Sequence, residues 1–238
     1  MRQNPTFALH ELAELRRIVR EHPWATLVSA TSTGLRVSHY PVLLEGDDLT
    51  IVSHVGRPDD AIHELGRHEV AVILQGPHGY VSPGWYDDSA TVPTWNFTAV
   101  HLHGRPELLS AEENLRMLDR LVDVFEAPLP EPRRLLGTPE DAALAERVAR
   151  GTVGFRLRPT RVEAKRKLSQ NKPEQIVRSV VAELEGHGPY AQPQLAAEMR
   201  RAHPFLGAGA DAAAGADADG ADADGADADG ADADGAAL

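Results

Sequence analysis

The 238-residue chain contains no cysteine. Disulfides, thiolate metal sites, iron–sulfur clusters and a cysteine nucleophile are therefore excluded. The absence also fits a reducing compartment. No apolar run approaches the roughly 18–20 residues of a membrane span. The start, Met1-Arg2-Gln3-Asn4-Pro5, leads into a charged amphipathic stretch rather than the apolar core of a signal peptide. The expected location is the cytoplasm, with no membrane partner. Positive charge is scarce too: 24 Lys+Arg against 36 Asp+Glu give a formal net charge of −12. Nine of the aspartates lie between Gly207 and Leu238, and without them the charge is −3. A nearly neutral body argues against a large nucleic-acid surface and leaves room for a local basic patch. No Gly-x-Gly-x-x-Gly follows a strand, so a Rossmann site is not expected. No Gly-x-Ser-x-Gly elbow is present, and Ser82 before Pro83 is a poor nucleophile.

The tail repeats Ala-Asp-Ala-Asp-Gly from Ala216 to Gly235. It has almost no large apolar side chains to offset the entropy of ordering, so it is expected to be disordered. Asp-x-Asp-Gly echoes part of a calcium loop, but the distal Glu is missing. Upstream, Asn4-Pro5 can start a first helix, with Leu12, Leu15, Ile18 and Val19 inward and Pro23 as its end. Ser110 and Glu113 form a capping box ahead of Leu115, Leu118, Leu121, Val122 and Phe125. Thr138-Pro139 starts another helix, with Ala143, Leu144 and Val148 inward. A later helix runs from about Pro173 to Gly186, with Ile176, Val177, Val180 and Leu184 inward, and Gln194–Ala202 adds a short one.

Between the first two helices the period changes. Trp24–Ala30, Leu35–Leu44, Leu49–His54, Val70–Leu74 and Phe97–His103 are β-prone runs bounded by Gly, Asp and Pro. Thr33-Gly34 and Gly46-Asp47-Asp48 read as hairpin turns. Thr152–Lys165 reads as one final long strand. Short strands with tight turns predict a small barrel, mainly β with flanking helices (α+β), rather than a doubly wound sheet.

Three segments could carry chemistry. Gln75–Gly104 concentrates two of the three tryptophans with Tyr80, Tyr86 and Phe97 among Ser, Asn, His, Pro and Gly. It reads either as a slot for a flat apolar ligand or as a long loop packed down by its own aromatics. His54-Val55-Gly56-Arg57-Pro58-Asp59 joins a strand to a short helix over Pro58–Arg67, where Arg57 and Ser53 could cradle a phosphate. Lys165–Lys172 is a basic cluster suited to a phosphate, nucleic acid or an acidic partner, or simply a solvated strand end. His101 and His103 share one strand face, which allows two metal ligands. No third partner stands at a telling spacing, so a structural or ligand-edge role is expected and no metal is assigned.

Together these segments resemble the PaiB family of FMN-binding negative transcriptional regulators. The resemblance rests on Ser38-His39-Tyr40-Pro41, His54 to Asp59, Gly76-Pro77-His78 through Tyr86, Val92-Pro93-Thr94-Trp95-Asn96 through His101, and Lys167-Leu168-Ser169-Gln170-Asn171. They occur in the family's order and cover about residues 1–185. Gly56-Arg57-Pro58-Asp59 departs from the usual Ala-Arg/Lys-x-Asn-Pro, Gly84 stands where Ser is common, and Ala164 replaces a usual Gly. The tail has no counterpart.

The resemblance implies an FMN-binding split barrel over residues 1–165, with a helical insertion at about 110–150. A basic segment with C-terminal helices (166–206) and the repeat tail (207–238) follow. It implies a homodimer with flavin at the interface. Arg57, Ser53 and His54 would serve the phosphate; Trp85, Trp95 and Tyr80 would wall the ring. Asn96, His78, Ser38 and His39 would reach its polar edges, and Lys167, Gln170 and Asn171 would close the site from the partner subunit. Two functions follow: a flavin-binding regulator, contacting DNA through Lys165–Lys172, or an oxidoreductase using NAD(P)H with His39, His78 or His101 as proton donor. Haem binding is a third, because related split barrels bind haem.

Overall fold

The computed structural model describes Met1, residues 4–86 and residues 92–207. The repeat tail from Ala208 onward, expected to be disordered, lies outside the described residues. Two antiparallel sheets form the body. One contains β1 (Trp24–Thr31), β2 (Gly34–Pro41), β5 (Val70–Val81), β6 (Thr94–Gly104) and β9 (Arg161–Lys167), in the order β2-β1-β5-β6-β9. The other contains β3 (Leu43–Leu44), β4 (Ile51–Gly56), β7 (Glu107–Leu108) and β8 (Thr152–Leu157), in the order β3-β4-β8-β7. Both expected hairpin turns are present. Gly34, at φ +111°, closes the β1–β2 turn in a conformation that favours glycine.

The core lies between the sheets because each strand alternates. Leu27, Val72, Leu74, Val100 and Leu102 point inward from the large sheet, and Ile51, Val55, Phe155 and Leu157 from the small one. Helix α1 (Leu12–Glu21) adds Leu15, Ile18 and Val19. Each such side chain, fully buried, contributes about 1.5–3 kcal/mol. The first helix begins later than expected: Asn4 caps a separate 3-10 turn over Pro5–Phe7, and Leu12 stays exposed.

Helix α2 (Asp59–Ile62) is short. Helices α3 (Ala111–Glu126) and α4 (Pro139–Ala149) lie between β7 and β8 in the chain. The capping box of Ser110 and Glu113 is formed at the start of α3. Its buried face is Asn114 and Met117 with Leu118 and Leu121 partly covered, while Phe125 is exposed. In α4 the side chain that goes inward is Ala145, not Leu144 or Val148. The neighbours β8, β4 and the two helices themselves set which side is covered, so Asn114, Met117 and Ala145 go inward while Leu115 and Val122 are only partly covered and Leu144 and Val148 are exposed. Helices α5 (Glu174–Glu185) and α6 (Pro193–Ala202) form a second core with Val81, Tyr86 and Leu168. The expected inward residues of α5 are there, and Gly186 follows its last turn.

Two strand predictions change. Thr152–Lys165 is two strands, β8 and β9, broken at Arg158-Pro159-Thr160 and assigned to different sheets. The Gln75–Gly104 stretch is largely strand, because β5 continues to Val81 and β6 begins at Thr94. A register shift between Gln75 and His78 accommodates Gly76-Pro77. The aromatics of this stretch are therefore carried mainly by paired strands rather than by a long loop.

Gly154 on β8 faces α3 at close range. A Cβ there would stand 2.5 Å from Asn114 Oδ1 and 3.0 Å from Leu109 Cδ1. Gly154→Ala is expected to destabilise the fold by about 1–3 kcal/mol, read by thermal or urea unfolding. An unchanged midpoint would mean that α3 is free to move away from β8.

Candidate functional site

The outer face of the large sheet carries Trp24, Thr26, Val28 and Ala30 from β1, paired with Pro41, His39, Val37 and Leu35 of β2. It continues through Ile73 of β5 to Phe97, Ala99, His101 and His103 of β6 and to Glu163, Lys165 and Lys167 of β9. Among the described residues no helix covers the β1–β2 end. Trp24, Leu35 and Val37 are 64%, 71% and 57% exposed there. His39 lies on this face and stacks on Trp24, ring centroids 6.4 Å apart.

Two cavities flank the start of β6. One, of about 390 Å³, is lined by His22, Gln75 to Tyr80, Trp95, Tyr190 and the Pro189–Gln194 segment. Cross-strand pairing places Tyr80 opposite Trp95. The Tyr80 ring meets Trp95 edge-on and packs 4.8 Å from Tyr190. His78 stacks on Trp95 at 6.4 Å and its Nδ1 lies 3.1 Å from the Gly76 carbonyl. Trp95 remains 54% exposed.

The second cavity, about 400 Å³, is lined by Tyr86, Val92, Thr94, Asn96, Lys167, Ser169, Asn171 and Lys172. Asn96 is fully buried. Its Nδ2 donates to Ser169 Oγ at 2.9 Å, and its Oδ1 has no partner among the described residues. Lys167 Nζ donates to the Trp95 carbonyl at 3.0 Å and to Thr94 Oγ1. Burial, with Lys165 and Lys172 nearby, lowers its pKa. Lys172 Nζ sits 4.9 Å over the Tyr86 ring. Among the described residues no carboxylate pairs with Lys167 or Lys172, and none lines either cavity. All three lysines of the chain fall in residues 165–172, so positive charge is concentrated at this end of the sheet.

The remaining predicted residues sit elsewhere. Ser53 is fully buried and donates to the Pro41 carbonyl at 2.7 Å. His54, next along β4, points to the opposite face, as alternation requires. Its Nδ1 is buried without a partner, and burial lowers its pKa. Arg57 is exposed, pairs with Asp60 at 3.3 Å, and lines a separate cleft of about 720 Å³ beside α3 and α4. Trp85 packs on the second core. Gln170 folds back on its own turn, donating to the Arg166 carbonyl at 2.6 Å and accepting from the Leu168 amide at 2.7 Å. The structure thus gathers His78, Tyr80, Trp95, Asn96, Lys167 and Asn171, and does not gather Ser38, His39, Ser53, His54 or Arg57 with them in one protomer. Tyr190, Thr94, Ser169 and Lys172 join the site without having been singled out as site residues. Tyr190 had no local signal beyond the Gly-Pro break before it.

Ser38 belongs to a buried network. His63, 1% exposed, holds Ser29 Oγ at Nδ1 and Ser38 Oγ at Nε2, each at 2.9 Å. The Tyr40 hydroxyl donates to Asp59, and burial together with that bond pushes its pKa up to about 12. Burial lowers the His63 pKa, against the pull of Asp59. The unfolded chain therefore binds more protons as pH falls below about 6.5, and stability declines through the depressed folded pKa. In His63→Gln this acid-side slope should shrink in pH-dependent urea unfolding. An unchanged slope would assign it to the other histidines with lowered values, His22, His54 and His101.

FMN asks for an apolar wall for its ring, cations for its phosphate and polar atoms for its edge. Trp95 and Tyr80 supply the wall in one cavity, and Lys167 with Lys172 and the unpartnered Asn96 Oδ1 supply cations and a polar atom in the other, Asn96 pointing to the opposite face of β6 from Trp95; the residues fit the group in chemical type. Two packed antiparallel sheets with such a site define a flavin-binding split barrel. The chain belongs to the family described as "Putative FMN-binding domain", which matches residues 1–161, and its cofactor is FMN. It is 30% identical over 183 residues to "Protease synthase and sporulation protein PAI 2" of Bacillus subtilis, covering 75% of this chain and 86% of that protein. This bears out the PaiB resemblance. Among solved structures, the flavocytochrome Anf3 from Azotobacter vinelandii superposes with a TM-score of 0.52 at 19% identity, covering 67% of this chain and 69% of that one. The FAD and heme binding protein from Mycobacterium smegmatis gives 0.52 at 16% identity, covering 71% and 78%. At such identities these two speak for the fold alone. No helix of the described residues is long and apolar enough to cross a membrane.

Proposed function

We propose that the protein is a flavin-binding regulator of the PaiB type, acting as a homodimer with FMN at the subunit interface. The observation that carries this reading is the uncovered sheet face, apolar at its β1–β2 end and cationic beside Trp95. An apolar face of this kind favours a second copy. A dimer also gives the isolated Arg57 segment a route to an aromatic wall that its own protomer holds apart from it. Lys167 and Lys172 would neutralise phosphate charge, Trp95 and Tyr80 would shield the ring from water, and Asn96 would accept a hydrogen bond from its edge. Bound FMN would supply the redox chemistry that a cysteine-free chain lacks.

The regulatory part is tested by anisotropy titration of DNA at several salt concentrations. Salt-dependent binding that changes with FMN supports it, and no binding at low salt ends it. The cations of the basic cluster are largely engaged: Arg166 with Glu14, Lys167 with Trp95 and Lys172 with Tyr86. DNA contact through Lys165–Lys172 would require releasing them. The oxidoreductase reading is favoured by one observation, the exposure of Trp95 at an open cleft, which leaves room for a second flat molecule. Stopped-flow mixing with NADPH decides it: a bound flavin that keeps its colour rules it out. A Soret band in flavin-free protein would instead point to haem.

A further inference from the structure

We propose that His101, His103 and Glu163 form a binding site for a first-row divalent transition ion of the zinc class, on the outer face of the large sheet. The two imidazoles stand two residues apart on β6, with ring centroids 6.3 Å apart. Antiparallel pairing sets Glu163 of β9 directly opposite His101. One ligand atom from each of the three lies within 4.8 Å of the other two. Tetrahedral ligand atoms on bonds near 2.0–2.2 Å stand roughly 3.3–3.6 Å apart. Modest side-chain rotation closes the difference.

A second observation points to the same use. His103 Nδ1 faces Glu69 Oε1 at 4.0 Å, while its Nε2 is buried with no partner among the described residues. At 4.0 Å this is not yet a hydrogen bond, and Glu69 Oε1 also lies 3.6 Å from Arg161; a small rotation would let the carboxylate accept from Nδ1, orient the ring and leave Nε2 to a metal. Two imidazoles and one carboxylate suit zinc or its neighbours rather than magnesium or calcium, and three protein ligands leave a fourth position for water. Glu163 also serves the Met1 ammonium at 2.8 Å and Arg161. A metal has to win one carboxylate oxygen from these cations, which predicts moderate rather than extreme affinity. None of the three ligands lines the aromatic or lysine cavity.

The test is titration of the full chain, stripped by chelator, with Co²⁺ followed by visible absorption and with Zn²⁺ by calorimetry. A single saturable Co²⁺ signal, displaced by Zn²⁺, is expected. It should be absent in His101→Ala and in His103→Ala, and weakened in Glu163→Gln. Glu69→Gln, which leaves every ligand in place, should weaken it about tenfold or more. Far-UV circular dichroism should stay unchanged in all four variants, which reports correct folding. Two results overturn the proposal: no saturable binding, or unchanged binding in the folded His101→Ala/His103→Ala double variant. The latter would assign the metal to the aspartate tail or to other histidines.

Discussion

Replacing Arg17 with Met is expected to cost about 3–5 kcal/mol of stability, the largest effect of any single polar change in the body. Arg17 lies on α1 with its side chain 12% exposed, and donates to Glu14 at 3.0 Å, Glu21 at 2.6 Å and Glu198 at 2.6 Å. Glu198 sits on α6 and is 4% exposed. The pair ties the first helix of the barrel to the C-terminal helical pair. Burial acts to lower the Arg17 pKa, but the hydrogen bonds to Glu14 and Glu198 outweigh it and leave the value raised. Removing the guanidinium leaves a buried carboxylate with only Arg201, 3.6 Å away, as partner. The loss should appear as a fall in melting temperature of roughly 6–20 °C for a body of this size. Arg17→Met/Glu198→Leu should recover most of it, because a buried ion pair replaced whole by apolar groups is often neutral. If the double variant is as unstable as Arg17→Met, the cost lies in lost packing of the arginine stem and not in the stranded charge.

Lys167→Met should weaken FMN binding about tenfold to hundredfold, the range of one hydrogen bond to a charged group. Lys167 lines the lysine cavity, and its Nζ bonds to Thr94 Oγ1 and to the carbonyl of Trp95, which lines the aromatic one. Trp95→Ala should weaken binding by loss of ring contact, while Trp95→Phe keeps much of it. Only the lysine variant should also reduce the salt dependence of binding. Fluorescence titration with FMN reads all three. Unchanged affinity in both Lys167→Met and Trp95→Ala would place the flavin away from the start of β6. Such a result would leave the family assignment untouched.

Several local features were legible in the chain itself. The hairpin at Gly34, the capping box at Ser110 and the stop at Gly186 depend on neighbours a few residues away. Helix α5 was read correctly at Ile176, Val177, Val180 and Leu184 because its apolar positions cluster on one face, and Val181, also buried, joins them. Helices α3 and α4 were not read correctly, because each carries more apolar side chains than it buries, and β8, β4 and the packing of the two helices on each other choose among them. Thr152–Lys165 looked like one strand because its composition is uniform; the break at Pro159 sends its halves to different sheets. The candidate site divides in the same way. Trp95, Asn96 and Lys167 were legible as chemistry. Ser53 and Arg57 looked like phosphate ligands by type, yet one hydroxyl is spent on Pro41 and the guanidinium faces another cleft.

The sequence by itself determined what chemistry is available: no thiol, three lysines confined to one octet, aromatics gathered between Tyr80 and Phe97, and a resemblance strong enough to name the family. Those are properties of residue type and order. Only the tertiary structure decided which of these groups meet. Tyr80 faces Trp95 because β5 and β6 pair in one register, and Glu163 reaches His101 because β9 pairs on the other side of β6. Glu198 needs Arg17 because α6 packs where α1 ends. Such contacts, between residues 15, 62 and 181 positions apart, are set by strand pairing and burial, and spacing along the chain carries no record of them.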